Sequence, residues 1–174
     1  MLKKFGEKVV KFYKKLSLND IKKIKPELII SDRYKFIIDD KICRHFKSNI
    51  INLHPSFLPY CRGSNPIFFS VYKKRPIGIS IHVVTKNLDA GPILLQKKII
   101  FNNQMTLRDL YKTIREEFKI LLRKNWYFIK KKKIKTRPQS SHIKEIYKGK
   151  EFHQLFSKLK LNYDMKIKEI YDRL

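Results

Sequence analysis

Ile50-Ile-Asn-Leu-His54, closed at once by Pro55, decides the fold of this 174-residue chain. The run is apolar and β-branched enough to form a buried strand, and Pro55 ends regular pairing because it has no N–H to donate. Side chains two apart on a strand leave the same face, so Asn52 and His54 point together from the strand's carboxyl end. Further strands are expected at Leu28-Ile-Ile-Ser31, Gly78-Ile-Ser-Ile-His-Val-Val84 and Ile93-Leu-Leu-Gln-Lys-Lys-Ile-Ile100. Between the second and third, Asn65 or Ser64 can cap a helix whose first residue is Pro66 and which runs to about Lys74. Thr106 with Asp109 resembles a capping box. From there Leu107, Leu110, Tyr111, Ile114, Phe118, Leu121 and Leu122 keep helical spacing, which predicts a long amphipathic helix to about Phe128. Strands alternating with helices imply an α/β fold with an open, mostly parallel sheet.

Working outward, five of the seven prolines and three of the five glycines fall between residues 55 and 92. Carboxylates do the reverse: between Asp40 and Asp109 the only one is Asp89. Turn-rich, acid-poor sequence around one isolated Asp describes loops that build a site. Ser80 and His82 repeat the i, i+2 arrangement of Asn52 and His54, and Asp89 follows in a turn before Gly91-Pro92. In open α/β sheets ligands bind at the carboxyl ends of strands. An amide, one or two imidazoles and a carboxylate in one cleft suit proton transfer with stabilisation of an oxyanion. The blander alternatives are a packed histidine at a strand end and an ordinary turn aspartate. The spacing of His54, His82 and Asp89 matches no familiar zinc pattern, so no metal is expected. There is no Walker loop, no G-x-G-x-x-G and no G-x-S-x-G.

The length suits one domain, and 43% hydrophobic residues can bury a core. Lys and Arg number 41 against 15 Asp and Glu, a net charge of +26. Such an excess points to anionic company: phosphates, nucleic acid or a membrane face. Composition offers another source. Alanine occurs once, at Ala90, while Lys, Ile, Asn, Phe and Tyr abound, as A- and T-rich coding DNA would produce. The cluster Lys130-Lys-Lys-Lys133 with Lys135 and Arg137 reads as a solvated helix end before it reads as a nucleic-acid site. Cys43 and Cys61 stand in no metal or redox spacing, which fits a reducing cytoplasm. No window approaches the roughly 18 apolar residues of a membrane span, and residues 1–16 are basic without an apolar signal-peptide region.

Three blocks carry a resemblance: Ile51-Asn-Leu-His-Pro-Ser-Phe-Leu-Pro-Tyr-Cys-Arg-Gly63, Gly78-Ile-Ser-Ile-His82 and Leu88-Asp-Ala-Gly-Pro-Ile-Leu-Leu-Gln96. Together they resemble the folate-dependent formyltransferase family, whose signature is N-x-H-P-S-x-L-P-x-x-R-G with a D-x-G loop downstream. The likeness spans about residues 26–125, and the loose matches outside the blocks are most like the short amino-sugar N-formyltransferases. It implies a Rossmann-like sheet and transfer of formyl from 10-formyltetrahydrofolate to a primary amine of a phosphate-bearing, nucleotide-linked amino sugar. By position, Asn52 would hydrogen-bond the formyl oxygen, His54 would stabilise the oxyanion or shuttle the amine's proton, and Asp89 would set the protonation of His54. Tyr34, Lys35, Phe36 and Ile37 with Val84, Thr85 and Leu88 would line the pterin pocket, while Ser80, His82, Arg62 and Gly63 would support the site. Family members carry a much longer stretch ahead of the strand that begins near Pro26. The resemblance therefore implies a catalytic domain over residues 1–138 that lacks its first strands, a partly helical tail over 139–174, and a sheet edge that invites a homodimer. Glycinamide ribonucleotide is the alternative acceptor. From another class, the chain would be a truncated, inactive relative that binds folate or acts as a basic binding module.

Overall fold

The computed structural model describes residues 1–174. A four-stranded sheet runs β1 (Ile29–Asp32), β2 (Ile50–His54), β4 (Gly78–Val83), β5 (Ile93–Lys98) in that spatial order. A second ladder of two residues each joins β3 (Arg62–Gly63) to β6 (Ile146–Tyr147) in parallel. The helices are α1 (Leu18–Ile24), α2 (Asp40–Phe46), α3 (Pro66–Tyr72), α4 (Leu107–Lys130), α5 (Gly149–Lys158) and α6 (Ile167–Tyr171).

The α/β class and the long helix are as expected, but within the four-stranded sheet only β1 and β2 pair in parallel. Strand β4 is antiparallel to both β2 and β5. For β5 the reason lies in the connection after β4. Only residues 84–92 separate it from β5, and they hold no helix; a link that short returns the chain antiparallel, since parallel neighbours need a crossover of a dozen or more residues. At the site end of this pair, Ile81 faces Leu95 while His82 faces Ile93, a bulge that gives β5 one extra residue beside the cleft.

Helix α4 begins where Thr106 accepts from the Asp109 amide at 3.1 Å and its hydroxyl donates back to the Asp109 carboxylate at 2.7 Å. Helix α1 has the same device, Ser17 with Asp20. The largest apolar cluster gathers α3, β4, the start of α4 and the tail: Phe68 is fully buried among Phe69, Phe152, Phe156 and Tyr72, with ring centroids 5.0–5.9 Å away. Ile167 and Ile170 of α6 are buried in that cluster too, so residues 139–174 complete the core around α3. On the other side, Ile51, Leu53 and Ile81 meet Leu122, Trp126 and Ile129 of α4.

Residues 1–16 contain one short 3-10 turn (Leu2–Phe5) and otherwise run without regular structure. Glu7 accepts from the Trp126 indole at 3.0 Å and pairs with Lys130 at 2.8 Å. At the other end, the Tyr34 hydroxyl bonds Lys14 O and Leu16 N, each at 2.7 Å. The segment thus straps an apolar groove of about 2130 Å³ bounded by Ile30, Ile51, Leu94, Phe118 and Leu122. No strand lies outside β1.

Candidate active site

Strand β4 is buried at all six positions, yet it carries Ser80 and His82. Buried polar groups need partners, and these partners are the loops of the site. Ser80 Oγ donates to Ser56 O at 2.8 Å and accepts from Leu58 N at 3.1 Å and Gln96 Nε2 at 2.8 Å. Ser80 therefore pins the turn that follows β2. His82 lies opposite Asn52 in the β2–β4 register, as Ser80 lies opposite His54. Pairing across two strands is what brings the four side chains together.

The Asp89 carboxylate is the centre of the cluster. Its Oδ1 accepts from Asn52 Nδ2 at 3.1 Å and sits 3.5 Å from His82 Nε2. Its Oδ2 accepts from the Gly63 amide at 2.9 Å and sits 3.5 Å from His54 Nδ1. Burial alone would raise the Asp89 pKa. The His82 interaction, the charge of His54 and the Gly63 N–H outweigh it and hold the carboxyl at about 2. Asp89 is ionised at any physiological pH.

The partners of the imidazoles fix their tautomers. A carbonyl can only accept, so His54 carries its hydrogen on Nε2, which donates to Cys61 O at 3.0 Å. His54 Nδ1 then faces Asp89 as an unprotonated nitrogen. Burial pushes the His54 pKa down, Asp89 pulls it up, and burial prevails. At neutral pH the ring is a neutral base whose incoming proton lands on Nδ1, beside a carboxylate. His82 donates from Nδ1 to Val83 O at 2.9 Å, leaving Nε2 to accept from Asn52 Nδ2 at 3.2 Å. The Asn52 amide is consequently held with its NH₂ turned into the cluster. The arrangement can take a proton, hold it against a fixed anion, and present an amide donor alongside.

Gly63 has no substitute here. Its φ is +89°, and a Cβ would lie 2.3 Å from Tyr147 O. Arg62, only 9% exposed, gives Nε and Nη2 to Gln139 Oε1 at 3.2 and 2.8 Å. Gln139 was not among the candidate site residues read from the sequence. It lies 50 residues beyond Asp89, on a segment whose pattern shows neither helix nor strand, and only tertiary structure brings it back.

The residues expected around a pterin divide. Tyr34 and Val84 pack against the cluster of Ile38, Ile42 and Phe46, with Phe36 edge-on to Tyr34 at 5.5 Å. Lys35 sits over the Phe36 ring at 5.0 Å. Ile37 and Leu88 are 78% and 46% exposed, an unusual state for apolar side chains flanking a cleft. Thr85 spends its hydroxyl on Asn87 O at 3.3 Å. The backbone amides of residues 85–89 donate to no group of the protein. Orphan amides beside exposed apolar side chains suit a flat heterocycle that both stacks and hydrogen-bonds.

Comparison with known proteins supplies the relatives of the chain. The family model described as "Formyl transferase" matches residues 7–124. The bifunctional polymyxin resistance protein ArnA of Wigglesworthia glossinidia brevipalpis is 32% identical over 139 residues, 76% of this chain and 21% of its own length. A GDP-perosamine N-formyltransferase of Brucella melitensis is 34% identical over 87 residues, 49% of this chain and 34% of its own. The chain thus spans about a fifth to a third of these curated relatives. Among solved structures, the formyltransferase PseJ of Anoxybacillus kamchatkensis, in complex with UDP-4,6-dideoxy-4-formamido-L-AltNAc and tetrahydrofolate, superposes with a TM-score of 0.90 at 28% identity. That match covers 97% of this chain and 88% of the PseJ chain.

Proposed function

The chain belongs to the formyl transferase family, and on that premise we propose that it moves the formyl group of 10-formyltetrahydrofolate onto a primary amine of a nucleotide-linked amino sugar. The observation that carries the reading is the convergence of Asn52, His54 and Asp89 within 3.1–3.5 Å at the end of β2. The PseJ complex, with a formamido sugar nucleotide and tetrahydrofolate bound, supports the choice of donor and acceptor class. The exposed Ile37 and Leu88 and the free amides of residues 85–89 fit the pterin; Tyr34, Lys35, Phe36, Val84 and Thr85 complete that wall. When bound, the folate supplies a formyl carbon already activated towards an amine.

The chain's own residues do the rest. Attack by an amine places negative charge on the formyl oxygen and positive charge on the nitrogen. Asn52 Nδ2 is the donor for that oxygen once one of its two hydrogens, held by Asp89 Oδ1 and His82 Nε2 in the free chain, turns to it; in this half-buried setting a fixed dipole counts for more than in water. Neutral His54 takes the nitrogen's proton on Nδ1, and Asp89 stabilises the imidazolium as it forms. Asp89 also orders a water that relays protons between His54 and the departing folate. Ser80, His82, Arg62 and Gly63 hold these three in place. The setting is a cytoplasmic protein with reduced Cys43 and Cys61, and the open edge of β1 is where two copies would associate.

The test is incubation of the protein with 10-formyltetrahydrofolate and a panel of amines, followed by mass spectrometry. The expected product is a formylated nucleotide-linked amino sugar. Formylation of glycinamide ribonucleotide instead would move the protein to purine synthesis. No product with any amine, together with folate binding, would leave an inactive relative.

A further inference from the structure

The turn that carries Asp89 is tied down from outside the family's sequence blocks. Asp89 has φ +47°, a left-handed conformation that a non-glycine residue adopts only at a cost. Something must hold it there. Gln139 Nε2 donates to both carbonyls that flank the turn, Asp89 O at 2.9 Å and Gly91 O at 2.8 Å. Gln139 Oε1 accepts twice from Arg62. Because a guanidinium only donates and a carbonyl only accepts, this four-bond set admits one orientation of the Gln139 amide. The clamp also reaches the other end of the carboxylate. Arg62 is the residue before Gly63, whose N–H binds Asp89 Oδ2, and both belong to β3. Strand β6, seven residues past Gln139, pairs with β3, and Tyr147 stacks on Phe69 at 4.0 Å. Segment 139–147 thus grips the backbone of Asp89 and the residue that binds its carboxylate at once.

We propose that Gln139 is a positioning residue: its carboxamide locks Arg62 to the turn of Asp89 and so keeps that carboxylate against His54 Nδ1 and Asn52 Nδ2. The proposal rests on the catalytic reading above, and its test separates the two. Histidine NMR of the full chain follows the titration of His54 in the wild type, Gln139→Ala and Gln139→Met. The methionine variant keeps the length and volume of the side chain and serves if the alanine variant does not fold. The titratable and charged groups facing the His54 ring are Asp89, His82 and Arg62. Asp89 is the one that favours the imidazolium, so releasing it should make His54 titrate lower in both variants. In the formyl-transfer assay kcat should fall ~10-fold or more, the usual effect of a small misplacement of a catalytic group. KM for the amine should stay within ~3-fold, since no binding contact is removed. A folded variant with unchanged His54 titration and unchanged kcat overturns the proposal, as does a rise in KM at constant kcat. A wild type that transfers no formyl group sinks the proposed function, and the titration still decides the role of Gln139.

Discussion

The carboxyl end of β2 and the strapped face of the sheet are held in opposite ways. At the carboxyl end Asn52, His54, Asp89, His82 and the Gly63 amide form a network of shared hydrogen bonds, largely out of reach of water. On the face of the sheet towards α4, residues 1–16 lie over an apolar groove, fastened chiefly by the exposed Glu7–Lys130 pair, the Trp126 indole and the Tyr34 hydroxyl. A closed network fixes geometry, because losing one member strands the others in a place water does not reach. A strap fastened at a few exposed points covers surface but specifies little. The sheet therefore has a rigid chemical end and a yielding side.

Breaking the rigid end should cost most. Asn52→Ala, His54→Ala and Asp89→Ala are each expected to lower turnover by ~10² or more, the scale of a lost oxyanion donor or acid–base group. Steady-state kinetics on folded variants checks this, and a His54→Ala enzyme within a few-fold of wild type would refute the assignment. The scaffold beneath comes next. Phe68→Ala empties the centre of the aromatic cluster around α3 and should cost ~3–5 kcal/mol in a urea melt.

A smaller effect separates the two regions by pH. The Asp89 carboxyl sits at about 2 when folded against 3.8 for a free aspartate. A depressed carboxyl contributes stability that is complete above the unfolded value and is lost as pH falls towards the folded one. The loss should be about 2 kcal/mol between pH 4 and pH 2. His54, pushed down by burial, works in the same direction, and its contribution begins to fade as pH drops below 6.5. Melts across this range should show acid destabilisation that Asp89→Asn reduces; a flat profile would contradict the buried network. The smallest effect belongs to the strap. Glu7→Ala should shift the melting temperature by less than ~2 °C while speeding proteolysis within residues 1–16. A large loss of stability would mean that the strap is part of the core.

Local chemistry made much of this visible in the sequence. Pro55 after an apolar run marked the end of β2, Thr106 with Asp109 marked the start of α4, and the i, i+2 pairs on β2 and β4 placed Asn52, His54, Ser80 and His82 on one side. Each signal is carried by adjacent residues. Helix α1 is equally legible, through the capping box of Ser17 and Asp20. The antiparallel direction of β4 was implicit in the helix-free link before β5, but strand–helix alternation elsewhere outweighed it. Gln139 and the β3–β6 ladder left no local trace, because their meaning depends on a return across some 50–80 residues. Asn65 stands where a cap was expected yet makes no capping bond; it takes φ +50° instead and turns the chain into α3.

The central claim is that the cluster at the end of β2 delivers a formyl group to an amine. Its most direct test supplies 10-formyltetrahydrofolate labelled with carbon-13 in the formyl carbon, together with a panel of nucleotide-linked amino sugars, and follows the label by NMR. The account predicts that the wild-type chain moves the label into a formamide of the sugar, and that His54→Ala does so ~10² or more times slower. Label that stays on the folate or appears as free formate in the presence of the amine, or a His54→Ala chain as fast as the wild type, would contradict it.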